Sequence, residues 1–242
     1  MQLWLVGMFS ERKALTTALS DYYRTVATRI ERFQKVRKKA DLYEATRFSA
    51  FDYIDRDENR LSDVIHDLLD PSGRHGQGTL FLYLFLEAIG VAPESVHPPF
   101  RVKREDCTLY CASFQRRIDI TLELGDFGVG IENKPWASEG QEQLKDYCLH
   151  LRQKYAQRFM LVYLSGDGSR PTSINRTDLA ALQAAKQFKS LAFPTGLHRW
   201  LERCSHGCKA DKVRWFLSDF AEYVKKGFEL IDADEEPIHE AQ

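Results

Sequence analysis

The sequence predicts an α/β protein with a mixed central sheet flanked by helices. An extended segment follows Pro98-Pro99, and two adjacent stretches behind it alternate apolar and polar residues. Helical spacing precedes and follows these three stretches, and a further apolar stretch lies beyond the second helical region. The resulting order of helix, three strands, helix and strand is typical of an α/β sandwich. A chain of 242 residues, 43% of them hydrophobic and 29% charged, is long enough to bury such a core.

Several classes of protein are disfavoured by composition. No apolar run reaches the roughly 18–20 residues of a membrane span, so we expect no membrane insertion. Residues 1–9 are apolar but lack the basic start and the cleavage site of a secretory signal, which makes a cytoplasmic location the expectation. Five cysteines, an odd number, do not make a disulfide framework in a chain of this length, and reduced thiols are expected.

The first element predicted is a long amphipathic helix. Residues 11–39 contain no proline or glycine, and apolar residues recur there every three or four positions. Its polar face is rich in arginine and lysine, which suits three roles: a solvated face, contact with nucleic acid, or pairing with another helix in a homodimer or a partner protein. We assign residues 1–48 to this N-terminal helical extension.

The main domain is expected over residues 49–228. It opens with a helix from Glu58 that ends at Asp70-Pro71, followed by an apolar and therefore buried helix at 79–89. The later elements follow along the chain: strands at 100–105, 115–124, 127–134 and 158–165, a helix at 138–155 with a capping box at Ser138 and Gln141, a short strand at 189–193, and closing helices at 197–204 and 209–226 with Trp200, Trp215, Phe216, Phe220 and Tyr223 in the core.

Charge is distributed unevenly. Residues 229–242 carry six acidic residues and no lysine or arginine, so we expect an acidic, disordered tail. The formal net charge of −1 therefore becomes +5 for residues 1–228. A mildly basic body is compatible with binding to a phosphate backbone.

The residues most suggestive of chemistry lie on a predicted hairpin. If Gly125-Asp126 is a two-residue turn, then Leu124 faces Phe127, Leu122 faces Val129 and Ile120 faces Ile131, which makes one face apolar. The other face then carries Asp119 opposite Glu132, with Lys134 two residues further on the same side.

Two facing carboxylates repel each other unless a positive charge lies between them. A hard cation such as Mg²⁺ or Mn²⁺ removes that repulsion, with Asp119, Glu132 and the main-chain carbonyl of Asn133 as ligands, while Lys134 could orient water, help to deprotonate it, or offset charge on phosphorus. Gly128 and Gly130 are interpreted as leaving room for a ligand. The alternative is an ordinary strand pair in which Lys134 forms a salt bridge.

At these residues the chain resembles the PD-(D/E)XK nuclease superfamily, with Asp119 as the Asp and Glu132-Asn133-Lys134 as the (D/E)-x-K element. The resemblance implies a restriction-endonuclease-like αβββαβ core and metal-dependent cleavage of nucleic acid, with DNA the expected substrate. Gln143 and Tyr147 look like the Q-x-x-x-Y motif of the RecB-type branch and would border the cleft. Their alternative is plain core packing.

Upstream residues extend the resemblance. Glu58-Asn59-x-x-Ser62, then Leu68-Leu69-Asp70-Pro71 and His75-Gly76, look like the N-terminal signature of a bacterial PD-(D/E)XK family. The resemblance implies that Glu58 completes the metal site, although a Glu in a first helical turn also suits the helix dipole. Asn59 and Ser62 are either substrate contacts or capping groups, and His75 either touches a phosphate or lies in a turn.

Two further sets of residues remain open. Arg116 and Arg117 are candidates for contacts to the nucleic-acid backbone. A structural zinc site is an alternative for five residues, although their spacing fits no common finger: Cys107, Cys111, Cys204, His206 and Cys208.

The sequence therefore leaves two functions. The first is a metal-dependent nuclease, whose strand preference, substrate sugar and pathway stay open, with bacterial defence, repair and restriction all compatible. The second is an inactive nuclease-fold module that binds nucleic acid or a protein, which the intact Asp119, Glu132 and Lys134 set disfavours.

Overall fold

The computed structural model describes residues 17–36, 50–53, 57–108, 115–136 and 140–228. The chain divides into two units, Met1–Ser49 and Ala50–Gln242. In the first unit, helix α1 occupies residues 17–36, which confirms the centre of the predicted N-terminal helix; the flanks of that helix lie outside the described residues. None of the described helices is both long enough and apolar enough to cross a bilayer.

The second unit is built on a five-stranded mixed sheet with the strands in sequential order. Strands β1 to β3 pair antiparallel, and β3 to β5 pair parallel. The strands are β1 (Phe100–Cys107), β2 (Arg117–Leu124), β3 (Phe127–Lys134), β4 (Phe159–Ser165) and β5 (Phe188–Ala192). This arrangement confirms the predicted mixed sheet.

Helices cover both faces of the sheet. They are α2 (Glu58–Leu69), α3 (Leu80–Ile89), α4 (Gln143–Tyr155), α5 (Arg176–Ala184), α6 (His198–Gly207) and α7 (Asp211–Phe228), with short turns of 3₁₀ helix at Ala50–Tyr53 and Pro93–Ser95 and of π-helix at Phe193–Leu197. Helices α2, α3, α6 and α7 share one buried cluster with the sheet, and α4 and α5 share another. Because each cluster contains residues from the strands, the sheet lies between two helical layers.

The β2–β3 hairpin has the register predicted from its turn. Leu124 pairs with Phe127, Leu122 with Val129 and Ile120 with Ile131. The pairing ends at Ile120 and Ile131, so Asp119 and Glu132 lie just beyond the last pair. The sheet therefore opens into a fork between the two strands at the residues that carry the charged groups.

Three expectations need correction. Helix α4 begins at Gln143, with Glu142 at its N-cap in a left-handed conformation, so it starts later than predicted; Ser138 of the predicted capping box lies outside the described residues. Helix α5 was missed because only Leu179 and Leu182 of its nine residues are buried, too few for a periodic signal. In α7, Trp215 and Phe216 are exposed, at 68% and 39%, because the buried stripe begins one residue later, at Leu217.

Candidate active site

The fork between β2 and β3 is bridged by a side chain. A carboxylate oxygen of Asp119 accepts a hydrogen bond of 2.8 Å from the main-chain amide of Asn133. Arg104 of β1 donates to the carbonyl oxygen of Asp119, which fixes the main chain on the other side. Asp119 is half-buried, whereas Glu132 is completely buried. Pairing between β2 and β3 is absent here, so the bond from Asn133 to Asp119 connects the two strands beyond their last pair.

Glu132 has partners on only one of its two carboxylate oxygens among the described residues. Its Oε1 atom accepts hydrogen bonds from the amide of Gln143 at 2.6 Å and lies 3.0 Å from Nζ of Lys134. Its Oε2 atom is buried and has no hydrogen-bond partner among the described residues. Burial, and secondarily the negative charge of Asp119, raise the pKa of Glu132 from 4.5 to about 8 despite the attraction of Lys134.

Lys134 joins two carboxylates from different elements. Its Nζ atom lies 2.5 Å from Oε1 of Glu58 in α2 and 3.0 Å from Oε1 of Glu132 in the same strand. Burial favours the neutral amine, but the charge of Glu132 and the hydrogen bonds to Glu58 and Glu132 prevail and raise the pKa of Lys134 above its ordinary value. The side chain is therefore a fixed ammonium group with little exposure to solvent.

Helix α2 is tied to β3 next to this ammonium group. Asp57 caps the helix through a 2.8 Å bond from the amide of Asn59, which leaves Glu58 in the first turn. The side-chain amide of Asn133 donates to the hydroxyl of Ser62 at 2.8 Å and to the carbonyl of Glu58 at 3.3 Å. Ser62 is buried, so it connects two elements rather than capping its own helix.

Helix α4 contributes an amide and a phenol. Gln143 donates to Tyr147 at 2.8 Å as well as to Glu132, and its own carbonyl oxygen accepts from the amide of Gly140 at 2.9 Å. The hydroxyl of Tyr147 donates to the carbonyl of Arg117 at the start of β2. Burial, with the charge of Glu132 second, raises the pKa of Tyr147, which keeps the phenol protonated. Gln143 thus holds the carboxylate of Glu132, and Tyr147 connects Gln143 to the main chain of β2.

The remaining predicted residues lie in less direct positions. Asn59 is exposed and takes part through main-chain bonds. Arg116 pairs with Asp146 of α4, and Arg117 pairs with Glu105 at 3.0 Å while staying 64% exposed. The expected contact of His75 with a phosphate needs correction. The ring is buried, its Nδ1 atom accepts a hydrogen bond from the amide of Gln77, and its Nε2 atom donates to the carbonyl of Asp70, so neither ring nitrogen is left for a phosphate.

Sequence reasoning missed Arg104. Besides its bond to Asp119, the guanidinium donates to the carboxylate of Asp63 at 2.8 Å and to the carbonyl of Asn59 at 3.3 Å. It therefore connects β1, β2 and α2. No local pattern marks an arginine on a strand for such a role, because its partners are distant in sequence.

The interpretation of the two glycines was wrong. A Cβ atom at Gly128 would lie 2.1 Å from the ring of Tyr155, and one at Gly130 would lie 3.0 Å from Leu151. Tyr155 and Leu151 both belong to α4. The glycines therefore let this helix approach the sheet, and they leave no open space for a ligand.

The donor set fits a hard divalent cation. Among the described residues, no three His, Cys, Asp or Glu side chains form a metal-binding group. A cation at the fork would thus rely on the carboxylates of Asp119 and Glu132 and on main-chain oxygen. Glu58 is bonded to Lys134 and does not form a three-carboxylate cluster with them.

The alternative zinc site is not assembled in the described part of the chain. Cys107 is exposed on β1, while Cys204 and Cys208 are buried with the apolar cluster of α3, α6 and α7. Cys111 lies outside the described residues. Burial raises the pKa of Cys204, which disfavours the thiolate that zinc requires.

A mixed sheet between helical layers, with an aspartate on its second strand and Glu-x-Lys on its third, defines a class of nuclease folds. Comparison with protein families matches residues 48–222 to the PD-(D/E)XK nuclease superfamily. The chain belongs to this superfamily, which confirms the resemblance of the motifs; membership of the RecB-type branch stays a prediction. Neither the comparison with curated proteins nor that with solved structures gave a match.

Proposed function

We propose that the protein is a metal-dependent nuclease that hydrolyses phosphodiester bonds in DNA. The observation that carries the proposal is the buried Oε2 atom of Glu132, which lacks a hydrogen-bond partner in the described part of the chain and lies near a second carboxylate, that of Asp119. A buried carboxylate oxygen without a partner is costly, so a protein that served only as a scaffold would have little reason to retain it. A cation-binding role gives this atom a partner.

The carboxylates of Asp119 and Glu132 and the carbonyl of Asn133 would hold Mg²⁺ or Mn²⁺, which supplies activation of water and neutralisation of phosphate charge. Hydrogen bonds from neighbouring residues hold the two carboxylates in place before a cation binds. Gln143 holds one oxygen of Glu132, and the Asn133 amide holds one oxygen of Asp119, so both carboxylates keep an oxygen outside those bonds. Such preorganisation avoids reordering the ligands when the substrate binds.

Lys134 would offset the negative charge that develops on the phosphate. It is held as an ammonium group between Glu58 and Glu132, which suits a fixed positive charge better than a proton acceptor. Glu58 would position this ammonium group rather than bind the cation. Of the roles open to Lys134, charge compensation is the one that its two ion pairs favour.

Contacts to the substrate backbone would come from a less constrained arginine. Arg116 is hydrogen-bonded to Asp146 and to the carbonyl of Gln141, whereas Arg117 is more exposed and pairs with Glu105, which is itself exposed. A phosphate could replace Glu105 as the partner of Arg117 at little cost, since exposed ion pairs contribute little. The choice of DNA rests on analogy with the superfamily.

The test is cleavage of labelled single- and double-stranded DNA and RNA in Mg²⁺ or Mn²⁺, with chelator as the blank. We expect Glu132→Gln and Lys134→Met to abolish cutting while leaving the protein folded, and Lys212→Ala, an exposed lysine of α7, to cut as the wild type does. If the folded wild type binds metal but cuts none of these substrates, the inactive binding module becomes the better explanation.

A further inference from the structure

An exposed tryptophan follows the motif lysine. Trp136 comes two residues after Lys134, at the exit of β3, and 42% of its surface is exposed. Two residues span at most about 7 Å, and neighbouring nucleotides of one strand are roughly 3.4 Å apart along the axis of a duplex. If the phosphate of one nucleotide lies at the fork, the base of a neighbouring nucleotide is therefore within reach of this ring.

The ring is supported from behind by other aromatic residues. Phe228, at the end of α7, stacks on Trp136 with ring centres 5.1 Å apart and planes inclined by 25°. Phe228 in turn packs against the completely buried Phe193 at 4.6 Å. Phe228 covers one side of the indole, and 42% of the surface of Trp136 is nevertheless exposed. The indole is thus supported by an aromatic ring and still accessible in part.

The main chain before the ring is also fixed. A Cβ atom at Gly166, directly after β4, would lie 2.2 Å from the carbonyl oxygen of Pro135 and 3.0 Å from the ring of Phe228. The glycine therefore allows the Pro135-Trp136 segment to lie against the end of β4. A proline and a close main-chain contact restrict the position of the indole before any ligand binds, which lowers the entropic cost of binding.

We propose that Trp136 stacks on an unpaired base of the substrate next to the scissile phosphate, so that the enzyme prefers single-stranded or locally opened nucleic acid. This inference rests on the proposed nuclease function, which it deepens by naming the substrate class. Bases in an intact duplex are already stacked on their neighbours, whereas an unpaired base gains by stacking on an aromatic ring.

Binding is measured in chelator with the full-length chain, so that the result does not depend on cleavage. The probes are a fluorescent single-stranded oligonucleotide, its duplex, and an abasic strand of the same length and charge. We expect Trp136→Ala to weaken binding of the single strand about tenfold, to change the duplex and the abasic strand less than twofold, and Trp136→Phe to recover most of the loss. Trp136→Leu keeps apolar contact with Phe228 but should bind as weakly as the alanine variant.

Trp215→Leu is the matched control, since Trp215 is a more exposed tryptophan on α7 and should bind all three probes as the wild type does. Equal losses with single strand and abasic strand, or no loss with either, would overturn the stacking role even if the enzyme cuts DNA. Conversely, a base-dependent loss in a protein that cuts nothing would retain the stacking site and reject the nuclease function. Thermal unfolding of each variant separates these outcomes from a loss of folding.

Discussion

The side-chain amide of Asn133 donates a 2.8 Å hydrogen bond to the buried hydroxyl of Ser62, which joins the middle residue of the Glu-x-Lys motif to helix α2. The same amide also reaches the carbonyl of Glu58, whose carboxylate pairs with Lys134. The residue between the two charged motif positions thus sets the position of the helix that supplies a counter-charge to the lysine.

We expect Ser62→Ala to destabilise the protein by about 1–3 kcal/mol, because it leaves a buried amide with only its longer bond, and also to lower cleavage by displacing Glu58. Urea unfolding and cleavage rates measure the two effects. Ser205→Ala is the control, since Ser205 is a buried serine of α6 that bonds to Ser218 at 3.0 Å. If Ser205→Ala loses a similar amount of stability but cleaves as the wild type does, the loss of activity in Ser62→Ala comes from the contact with α2 and not from lower stability.

The raised pKa of Glu132 predicts a stability that falls with pH in the absence of metal. The folded protein binds this proton more tightly than the unfolded chain, so the contribution is complete below pH 4.5 and is lost as the pH rises toward about 8. The slope is at most about 1.4 kcal/mol per pH unit. Urea unfolding in chelator between pH 5 and 9 should show this decline, and Glu132→Gln should flatten it; an equal decline in both proteins would contradict the assignment.

A divalent cation should reverse that instability. Binding to the folded state alone stabilises by about 2.7 kcal/mol at one hundred times the dissociation constant. We expect Mg²⁺ or Mn²⁺ to raise the melting temperature of the wild type, and Asp119→Asn to remove the rise. Asp126→Asn, at the hairpin turn, serves as the matched control and should respond as the wild type does. A rise that persists in the Asp119 variant would place the cation elsewhere.

Gly128→Ala should destabilise the protein by about 1–3 kcal/mol, because the new methyl group would overlap the ring of Tyr155. Tyr155→Ala in the same chain should recover part of that loss, which a double-mutant cycle would measure. Gly227→Ala is the control, since nothing lies within 4 Å of its Cβ position in α7. There we expect no loss, and a small gain from helix propensity.

Removal of residues 229–242 should strengthen binding to nucleic acid, since it changes the formal net charge from −1 to +5. The gain should be largest at low salt and shrink as counterions screen the charges. Binding titrations at several salt concentrations would test this. A full-length variant in which the six acidic residues of the tail become amides should show the same gain, because it removes the charge and keeps the tail. An affinity independent of the tail at low salt would contradict the electrostatic account.

The hairpin was predictable because its information is local. Alternation of apolar residues and a two-residue turn specify both the register and the approach of Asp119 to Glu132. The end of pairing at Ile120 was not predictable from the turn and the alternation. The role of Arg104 was not predictable either, because its partners lie on β2 and α2 and are distant in sequence. The role of Gly128 was not predictable because it is decided by the ring of Tyr155 packed against it. The role of His75 depends on the fold of its loop, which directs both ring nitrogens to main-chain groups.

The sequential strand order also bears on how the molecule folds. A loop of two residues connects β2 and β3, whereas β4 and β5 are each reached through a longer crossover that contains a helix. Because loop closure is least costly for short loops, we expect the hairpin to form early. It would bring Asp119 and Glu132 together before the rest of the sheet exists, and Lys134 on the same strand accompanies them. One positive charge therefore lies beside the two carboxylates while the hairpin forms, and it offsets part of their mutual repulsion.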